Sequence, residues 1–215
     1  MIRNFTRAFT LIELLIVIAV VAILATIAYP VFIGIEEKAK VTKDMNNLRQ
    51  IGIATQLYLN DNDGAFPGSP TVAWMGQLHP KYLAAWNIFQ SPFDVRGPSE
   101  LGDATTPISY GINGNNIVGT SADNISNASI FILFAPAQAS GATVSFQGTA
   151  LTAAPGVTVL QATSPGGPAI GGTNSSRQKI SALFADLHLE NMTWSVFINN
   201  INSASDPSAA QRWSP

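Results

Sequence analysis

Three aspartates have the residue type and spacing that could bind a metal ion. Asp61 and Asp63 lie in the run N-D-N-D-G at positions 60–64, and Asp94 follows farther along the chain. Carboxylate oxygens on a loop that ends in glycine suit a hard cation such as calcium. The loop lacks the distal glutamate and the full spacing of an EF-hand, which favours a turn that ends a helix. We therefore expect no cofactor, and calcium is the one candidate.

The two histidines give weak support for catalysis. His188 near Asp186 could transfer protons or bind a metal, but neither histidine has a second ligand close to it in the sequence. His188 therefore suits a β-hairpin position, and His79, which precedes Pro80, suits a loop. The chain has no cysteine, and it contains neither a G-x-S-x-G string nor a P-loop. These features predict that the protein is not an enzyme.

Charge and aromatic content narrow the range of partners. The chain has 11 Lys and Arg against 13 Asp and Glu, a net charge of -2, so nucleic acid is not an expected partner. Tryptophans could form a glycan platform, but positions in the core or at a subunit interface are commoner for this residue. The four are Trp74, Trp86, Trp194 and Trp213. No charged residue lies between Asn124 and Ser176, and we expect that stretch to pack against neighbouring subunits or to be exposed outside the cell.

The N-terminal segment carries the strongest pattern in the sequence. Met1 to Ala8 is a polar leader with two arginines, and an uncharged apolar run extends from Leu14 to Ile35. As a helix, that run would measure roughly 33 Å, enough to cross a hydrocarbon core of about 30 Å. The basic leader should stay in the cytoplasm, and no A-x-A signal-peptidase site follows the run. We expect a retained membrane helix at 9–35.

Glu13 lies at the edge of this apolar run and needs a partner, because a charged side chain at the centre of a bilayer costs about 2.5–3.5 kcal/mol. The string A-F-T-L-I-E-L-L-I-V-I-A at positions 8–19 resembles the N-terminus of type IV pilins and of the pseudopilins of type II secretion. The resemblance implies that a prepilin peptidase cuts between Ala8 and Phe9 and methylates the new amino group of Phe9. It also implies that the Glu13 carboxylate pairs with the Phe9 ammonium of a neighbouring subunit. One departure is Ala8, since the family usually has glycine before the cut.

The helix should continue beyond the membrane segment, to about Leu59, as an amphipathic helix. Pro30 removes an amide donor and Gly34 adds a second weak point, so we expect a kink there. Apolar residues recur at three- and four-residue spacings. The apolar face carries Val41, Met45, Leu48, Ile51, Ala54, Leu57 and Tyr58. The polar face carries Glu36, Glu37, Lys38, Lys40, Lys43, Asp44 and Arg49.

The rest of the chain predicts a soluble α+β domain at 36–215, in which the long N-terminal helix packs on an antiparallel β-sheet. A short helix is expected near Met75 to Trp86. Strands should be separated by clusters of Gly, Pro and Ser. The candidate strands are Ile130 to Phe134, Ala142 to Phe146, Gly156 to Gln161, Ile180 to Ala185 and Leu189 to Trp194.

Short strings in the soluble part are similar to a pseudopilin-like group. They are N-L-R-Q-I-G at 47–52, F-Q-S-P-F-D at 89–94, S-Y-G-I-N at 109–113 and L-F-A-D-L-H at 183–188. Each string is weak alone, but their order along the chain agrees with the group. Ser91 replaces the group's cysteine. Leu187 stands where the group has glycine, which argues against a two-residue hairpin turn.

Together these features predict a structural subunit of a type IV pilus-like filament, and they favour a pseudopilin of type II secretion. The alternatives are a type IV pilin and, from a different class, a membrane-anchored periplasmic binding domain or enzyme. The expected partners are copies of itself, related pilin-like subunits, the prepilin peptidase and an inner-membrane assembly platform. We expect a single-pass protein of the bacterial inner membrane whose soluble domain lies in the periplasm until it joins a filament.

Overall fold

A computed structural model gives the arrangement of most of the chain. It describes residues 9–68, 73–94, 109–113, 117–136, 145–146, 172–176, 178–198, 207–213 and 215. The leader at 1–8, with Ala8, lies outside the described residues, as does the predicted strand Gly156 to Gln161. The chain divides into two compact units, Met1–Ala39 and Lys40–Pro215.

The first unit is built by the N-terminal part of helix α1, which runs from Leu11 to Asp61. Every large apolar side chain between Leu11 and Ile35 is exposed. By length and composition, α1 is long and apolar enough to cross a membrane, and it is the one such helix among the described residues. The helix continues through Pro30 and Gly34 without a break, and the kink at these residues stays a prediction.

In the second unit, the C-terminal part of α1 buries one face, and that face differs from the predicted apolar stripe. Leu48, Ile51 and Ala54 are buried as predicted, but Leu57 is 48% exposed. The buried face instead includes small and polar residues that an apolarity pattern does not count. Its full membership is Asp44, Asn47, Leu48, Ile51, Gly52, Ala54, Thr55 and Leu59. The expectation that Asp44 lies on the polar face was wrong, because hydrogen-bond partners across the core satisfy one of its carboxylate oxygens.

Four antiparallel strands form the main sheet: β1 Tyr110–Asn113, β2 Ile132–Pro136, β4 Lys179–Phe184 and β5 Leu189–Thr193. A two-residue strand, β3 Ser145–Phe146, pairs parallel with β1, and the sheet order is β3-β1-β2-β4-β5. The α+β arrangement of a long helix and an antiparallel sheet is confirmed. The parallel β3 is an exception to it, and strand β1 was not among the predicted strands.

Strands β1 and β2 are buried along their whole length, and β4 is buried from its second residue onward. Such continuous burial indicates that both faces of the central sheet are covered. β2 also accounts for part of the stretch without charges, because this segment lies in the protein's own core. The expectation that the whole stretch forms an outer or intersubunit surface was therefore wrong for β2.

Helix α2 is shorter than predicted. It covers Trp74–Leu78, and His79 is extended with ψ 140°. Pro80 explains this end, because the residue before a proline avoids the helical region. A short 3-10 turn follows at Trp86–Phe89, and helix α3, Trp194–Ile198, follows β5 directly.

Three of the four tryptophans are core residues, which confirms the commoner of the two interpretations. Trp74 packs against Phe134 with ring centroids 4.9 Å apart. Near the C-terminus, Phe197 packs between Trp194 and Trp213, at 5.5 Å and 5.0 Å. These three indole rings are at most 4% exposed, so they cannot form a glycan platform.

Candidate functional site

The N-terminus of α1 holds the side chain that the sequence marks most strongly, Glu13. Thr10 precedes the helix, and its backbone N and its Oγ1 donate to Glu13 Oε2 at 2.9 Å and 2.6 Å. In return, the backbone N of Glu13 donates to Thr10 Oγ1 at 3.3 Å. This reciprocal pair is a capping box, in which a threonine and a glutamate three residues later satisfy amides that a helix start leaves free. The T-x-x-E string was the sequence signal for it, and sequence reasoning did not use it.

The capping box gives the carboxylate a partner within its own chain. The negative charge also lies at the N-terminal end of a helix, where the helix dipole favours it. Phe9 lies outside the helix and is 75% exposed. The pairing of Glu13 with a neighbour's Phe9 ammonium stays a prediction, as do cleavage after Ala8 and methylation of Phe9.

The surroundings of this carboxylate define what the segment can bind. From Leu11 to Ile35 the helix presents exposed apolar side chains, and Glu13 is its one acidic residue there. Such a surface is stable in a bilayer or against other apolar helices. The carboxylate at its end can accept hydrogen bonds from a cation or an ammonium group.

Asp61, the first calcium candidate, is already paired with a cation. It accepts from Lys81 Nζ at 2.7 Å and from Tyr82 Oη at 3.0 Å. The hydrogen bond from Lys81 is the largest of the effects that lower the pKa of Asp61. Lys81 Nζ also lies 4.7 Å from the centre of the Tyr82 ring. This exposed group joins the end of α1 to the segment after α2.

The other two candidates lie in different surroundings. Asp63 has a φ of 51° in the turn that ends α1, immediately before Gly64 with a φ of 74°. Asp94 accepts a hydrogen bond from Ser109 Oγ. Within the described ranges, no group of three or more His, Asp or Glu side chains could hold a metal ion. Calcium binding therefore stays a prediction without a gathered ligand set.

His188 and Asp186 form a pair at the hairpin between β4 and β5. His188 Nδ1 lies 2.5 Å from Asp186 Oδ1, and the backbone N of His188 donates to the same oxygen at 3.1 Å. Partial burial acts to raise the pKa of Asp186, but the hydrogen bonds and charge of His188 outweigh it and lower that pKa. The His188 ring also stacks on Phe184 at 4.1 Å. These contacts fit the hairpin position that was predicted for His188. The other histidine, His79, stacks on Trp86 with ring centroids 4.3 Å apart.

The hairpin turn itself has three residues. The backbone N of Phe184 donates to His188 O, and the backbone N of Leu187 donates to Phe184 O, both at 3.0 Å. Leu187 has a φ of 70°, the left-handed region that glycine usually occupies. A left-handed third residue is typical of three-residue hairpin loops. The prediction that this hairpin does not have a two-residue turn is therefore confirmed. Leucine takes the left-handed conformation that glycine has in the related strings.

A second carboxylate with unusual surroundings, Asp44, lies inside the second compact unit. It is fully buried, and its Oδ1 accepts from Ser91 Oγ and from Tyr110 Oη, both at 2.7 Å. Beside it, Asn47 Nδ2 donates to Gln90 O at 2.8 Å. Sequence reasoning missed this cluster because it assigned Asp44 by charge alone. Two of the pseudopilin-like strings, at 89–94 and 109–113, supply its Ser91 and Tyr110.

Comparison with known proteins concerns the N-terminal segment. Residues 3–29 match the family model described as the prokaryotic N-terminal methylation motif. The chain is 40% identical over 57 residues to the type IV major pilin protein PilA of Myxococcus xanthus strain DK1622. The match covers 26% of this chain and 26% of that relative, about a quarter of the relative's length. No solved structure matches the chain. The resemblance of the N-terminal segment to that of type IV pilins and pseudopilins is confirmed.

Proposed function

We propose that this chain is a structural subunit of a type IV pilus-like filament, and within that class a pseudopilin of a type II secretion system. The observation that carries the proposal is the exposed apolar part of α1 with Glu13 at its start, inside the methylation motif. An exposed apolar helix of this length needs either lipid or other helices around it. A filament core of packed helices supplies the second environment.

The proposed mechanism begins in the inner membrane. The basic leader stays in the cytoplasm, and the prepilin peptidase removes residues 1–8 and methylates Phe9. The subunit then waits in the bilayer until the assembly platform lifts it out. Its apolar helix passes from lipid to a bundle of like helices, so apolar surface stays away from water and little free energy is lost.

In this mechanism Glu13 sets the register between subunits. Its carboxylate pairs with the Phe9 ammonium of the neighbouring subunit within an apolar surrounding. A subunit placed out of register leaves the Phe9 ammonium without a carboxylate and leaves Glu13 with only its hydrogen bonds from Thr10. An unpaired ammonium in such a setting is strongly unfavourable. Only the correct stagger of two helices brings the carboxylate of one to the ammonium of the other.

A type IV pilin is the second candidate. The similarity to a major pilin of Myxococcus xanthus favours it. The ordered strings at 47–52, 89–94, 109–113 and 183–188 favour the pseudopilin. Genes beside this one discriminate between the two, because secretion-channel genes accompany pseudopilins and retraction-motor genes accompany pili.

The proposal is tested by replacing Glu13 in cells that hold the native assembly machinery. We expect Glu13→Ala to insert and be cleaved normally but to reduce the yield of sheared filaments more than about tenfold. Glu13→Gln keeps a hydrogen-bond acceptor without the charge and should reduce the yield less. The measurement is filament yield relative to the membrane level of the subunit in the same cells.

Glu190→Ala is the matched control for this test, because it removes an exposed carboxylate on β5 outside the membrane segment. It should leave filament yield unchanged. Normal filament yield from Glu13→Ala would contradict the pairing model and favour a membrane-anchored periplasmic enzyme or binding domain.

A further inference from the structure

The buried cluster around Asp44 joins three parts of the second compact unit. Asp44 lies on α1, Tyr110 on β1, and Ser91 in the segment that follows the Trp86–Phe89 turn. Tyr110 Oη accepts from Asn47 Nδ2 at 3.4 Å and donates to Asp44 Oδ1 at 2.7 Å. The direction of these hydrogen bonds is fixed, since an amide nitrogen can only donate. Asp44 is the first buried residue of α1, so this cluster is where the helix enters the core.

Asp44 Oδ1 has two donors, but Asp44 Oδ2 has no hydrogen-bond partner among the described residues. Ser181 Oγ on β4 is also buried and has no hydrogen-bond partner among the described residues. This hydroxyl belongs to the same cluster, since it contributes to lowering the pKa of the Asp44 carboxyl. Leaving a buried polar atom unpaired costs about 1–3 kcal/mol, and more when the atom is charged. Two such atoms in one cluster require an explanation.

We propose that Asp44 holds a proton on Oδ2 in the folded protein, and that this proton joins α1 to β4 through Ser181. The added O–H turns Oδ2 into a donor, and Ser181 Oγ is a buried acceptor in the same cluster that has no other partner among the described residues. Oδ1 keeps both of its hydrogen bonds. The cluster then has no buried charge and no unpaired carboxyl oxygen, which suits a site that is fully enclosed.

The charges around Asp44 agree with a neutral carboxylic acid. Burial is the largest effect on the pKa of Asp44 and raises it, while the hydroxyls of Ser91, Tyr110 and Ser181 act in the opposite direction and are outweighed. Burial likewise raises the pKa of Tyr110, which keeps its proton. No cation is among the effects on Asp44. Within six residues of Asp44, α1 carries four cationic side chains, Lys38, Lys40, Lys43 and Arg49. The other packed elements carry Asp94 after Ser91, Tyr110 on β1 and Lys179 on β4.

The proton makes the attachment of α1 sensitive to pH. A carboxyl group whose pKa is higher in the folded state than in the unfolded state stabilises the fold fully below the unfolded pKa. This contribution is lost as the pH rises through the folded pKa. Acid therefore stabilises the contact between α1 and β4, and alkali destabilises it. This inference does not depend on the proposed function.

Carbon-13 NMR of aspartate side chains in the full chain, held in detergent micelles, tests the proposal directly. We expect one carboxyl resonance to titrate above the range of the exposed aspartates and to vanish in Asp44→Asn. Asp123→Asn, which removes an exposed aspartate, is the matched control and should leave that resonance in place. The wild-type titration is decisive even if Asp44→Asn fails to fold. Complete ionisation of every aspartate by about pH 5 would overturn the proposal.

Unfolding experiments on the same proteins give a second readout. As the pH rises above the pKa of an ordinary aspartate, the unfolding constant of the wild type should rise relative to that of Asp44→Asn, by up to about tenfold per pH unit. Asp123→Asn should follow the wild type. Equal pH dependence in the wild type and Asp44→Asn would overturn the proposal, because a purely structural aspartate would not change the slope.

Discussion

Leu187 combines an unfavourable backbone conformation with a favourable contact. Its φ of 70° costs a leucine roughly 1–2 kcal/mol. Its side chain reaches α1, where a Cβ added at Gly52 would lie 3.2 Å from Leu187 Cδ2 and 2.8 Å from Leu183 Cδ2. Packing against the helix offsets the strain. Glycine at position 52 is what allows the hairpin and the helix to approach this closely.

Gly52→Ala should therefore be less stable than Gly76→Ala by about 1–3 kcal/mol, because both gain the helix propensity of alanine but the methyl group at position 52 overlaps two leucine side chains. Gly76→Ala is the matched control, since Gly76 also lies in a helix but has no atom within 4 Å of the added Cβ. It should be neutral or stabilising by up to about 1 kcal/mol. Denaturant unfolding of both variants measures the difference, and equal stabilities would contradict the close approach.

At the scale of single residues, the sequence identifies an unusual residue but not the contacts that accommodate it. Leu187 stands out because the related strings have glycine there, yet only the position of Gly52 explains how leucine is tolerated. Asp44 looks like a surface residue, because its partners Ser91 and Tyr110 are distant in the sequence. Local patterns cannot reveal partners that the fold brings together.

Among the secondary-structure elements, long and strongly patterned segments were predictable. The apolar run of α1 and the β-branched and aromatic residues of β4 define their elements locally. Strand β1 was not predictable, because Y-G-I-N is short and contains two poor strand formers. Its pairing with β2 holds it in the sheet, through Tyr110 opposite Pro136 and Ile112 opposite Phe134.

The start of α1 carries a prediction about processing. The helix begins at Leu11 and leaves Phe9 exposed and non-helical, which suits a residue that a peptidase must reach. The mature protein should begin with N-methylated Phe9, which intact-mass analysis of membrane extracts can measure. Ala8→Gly introduces the glycine that type IV pilins and pseudopilins usually have before the cut, and this variant should be processed at least as fully. Retention of Met1, or a cut beyond Ile35, would contradict this prediction.

For the whole molecule, the sequence predicts an apolar N-terminal helix followed by an α+β domain, and this arrangement is observed. Among the described residues, the buried apolar side chains of the core cluster all come from Leu48 onward, within the second compact unit. The predicted boundary at position 36 stays a prediction. The order of the strands could not be derived, because it depends on contacts between segments distant in the sequence.

A fragment that begins near Glu36 should fold and stay monomeric without detergent, because it keeps the whole core and loses the exposed apolar segment. Circular dichroism and sedimentation measure folding and mass. A fragment that begins at Gly52 lacks Leu48 and Ile51 and should not fold, since both side chains are fully buried. Aggregation of the longer fragment would contradict the architecture.

Under the proposed function, the capping box at the start of α1 makes assembly a competition between two partners for one carboxylate. In an isolated chain Glu13 already accepts from Thr10. Under the proposed function, a neighbour's Phe9 ammonium must displace or share those hydrogen bonds. The gain on pairing is then the difference between two bonded states rather than the full strength of an ion pair. We therefore expect the pair to select the correct neighbour and the apolar helix surfaces to supply the affinity between subunits.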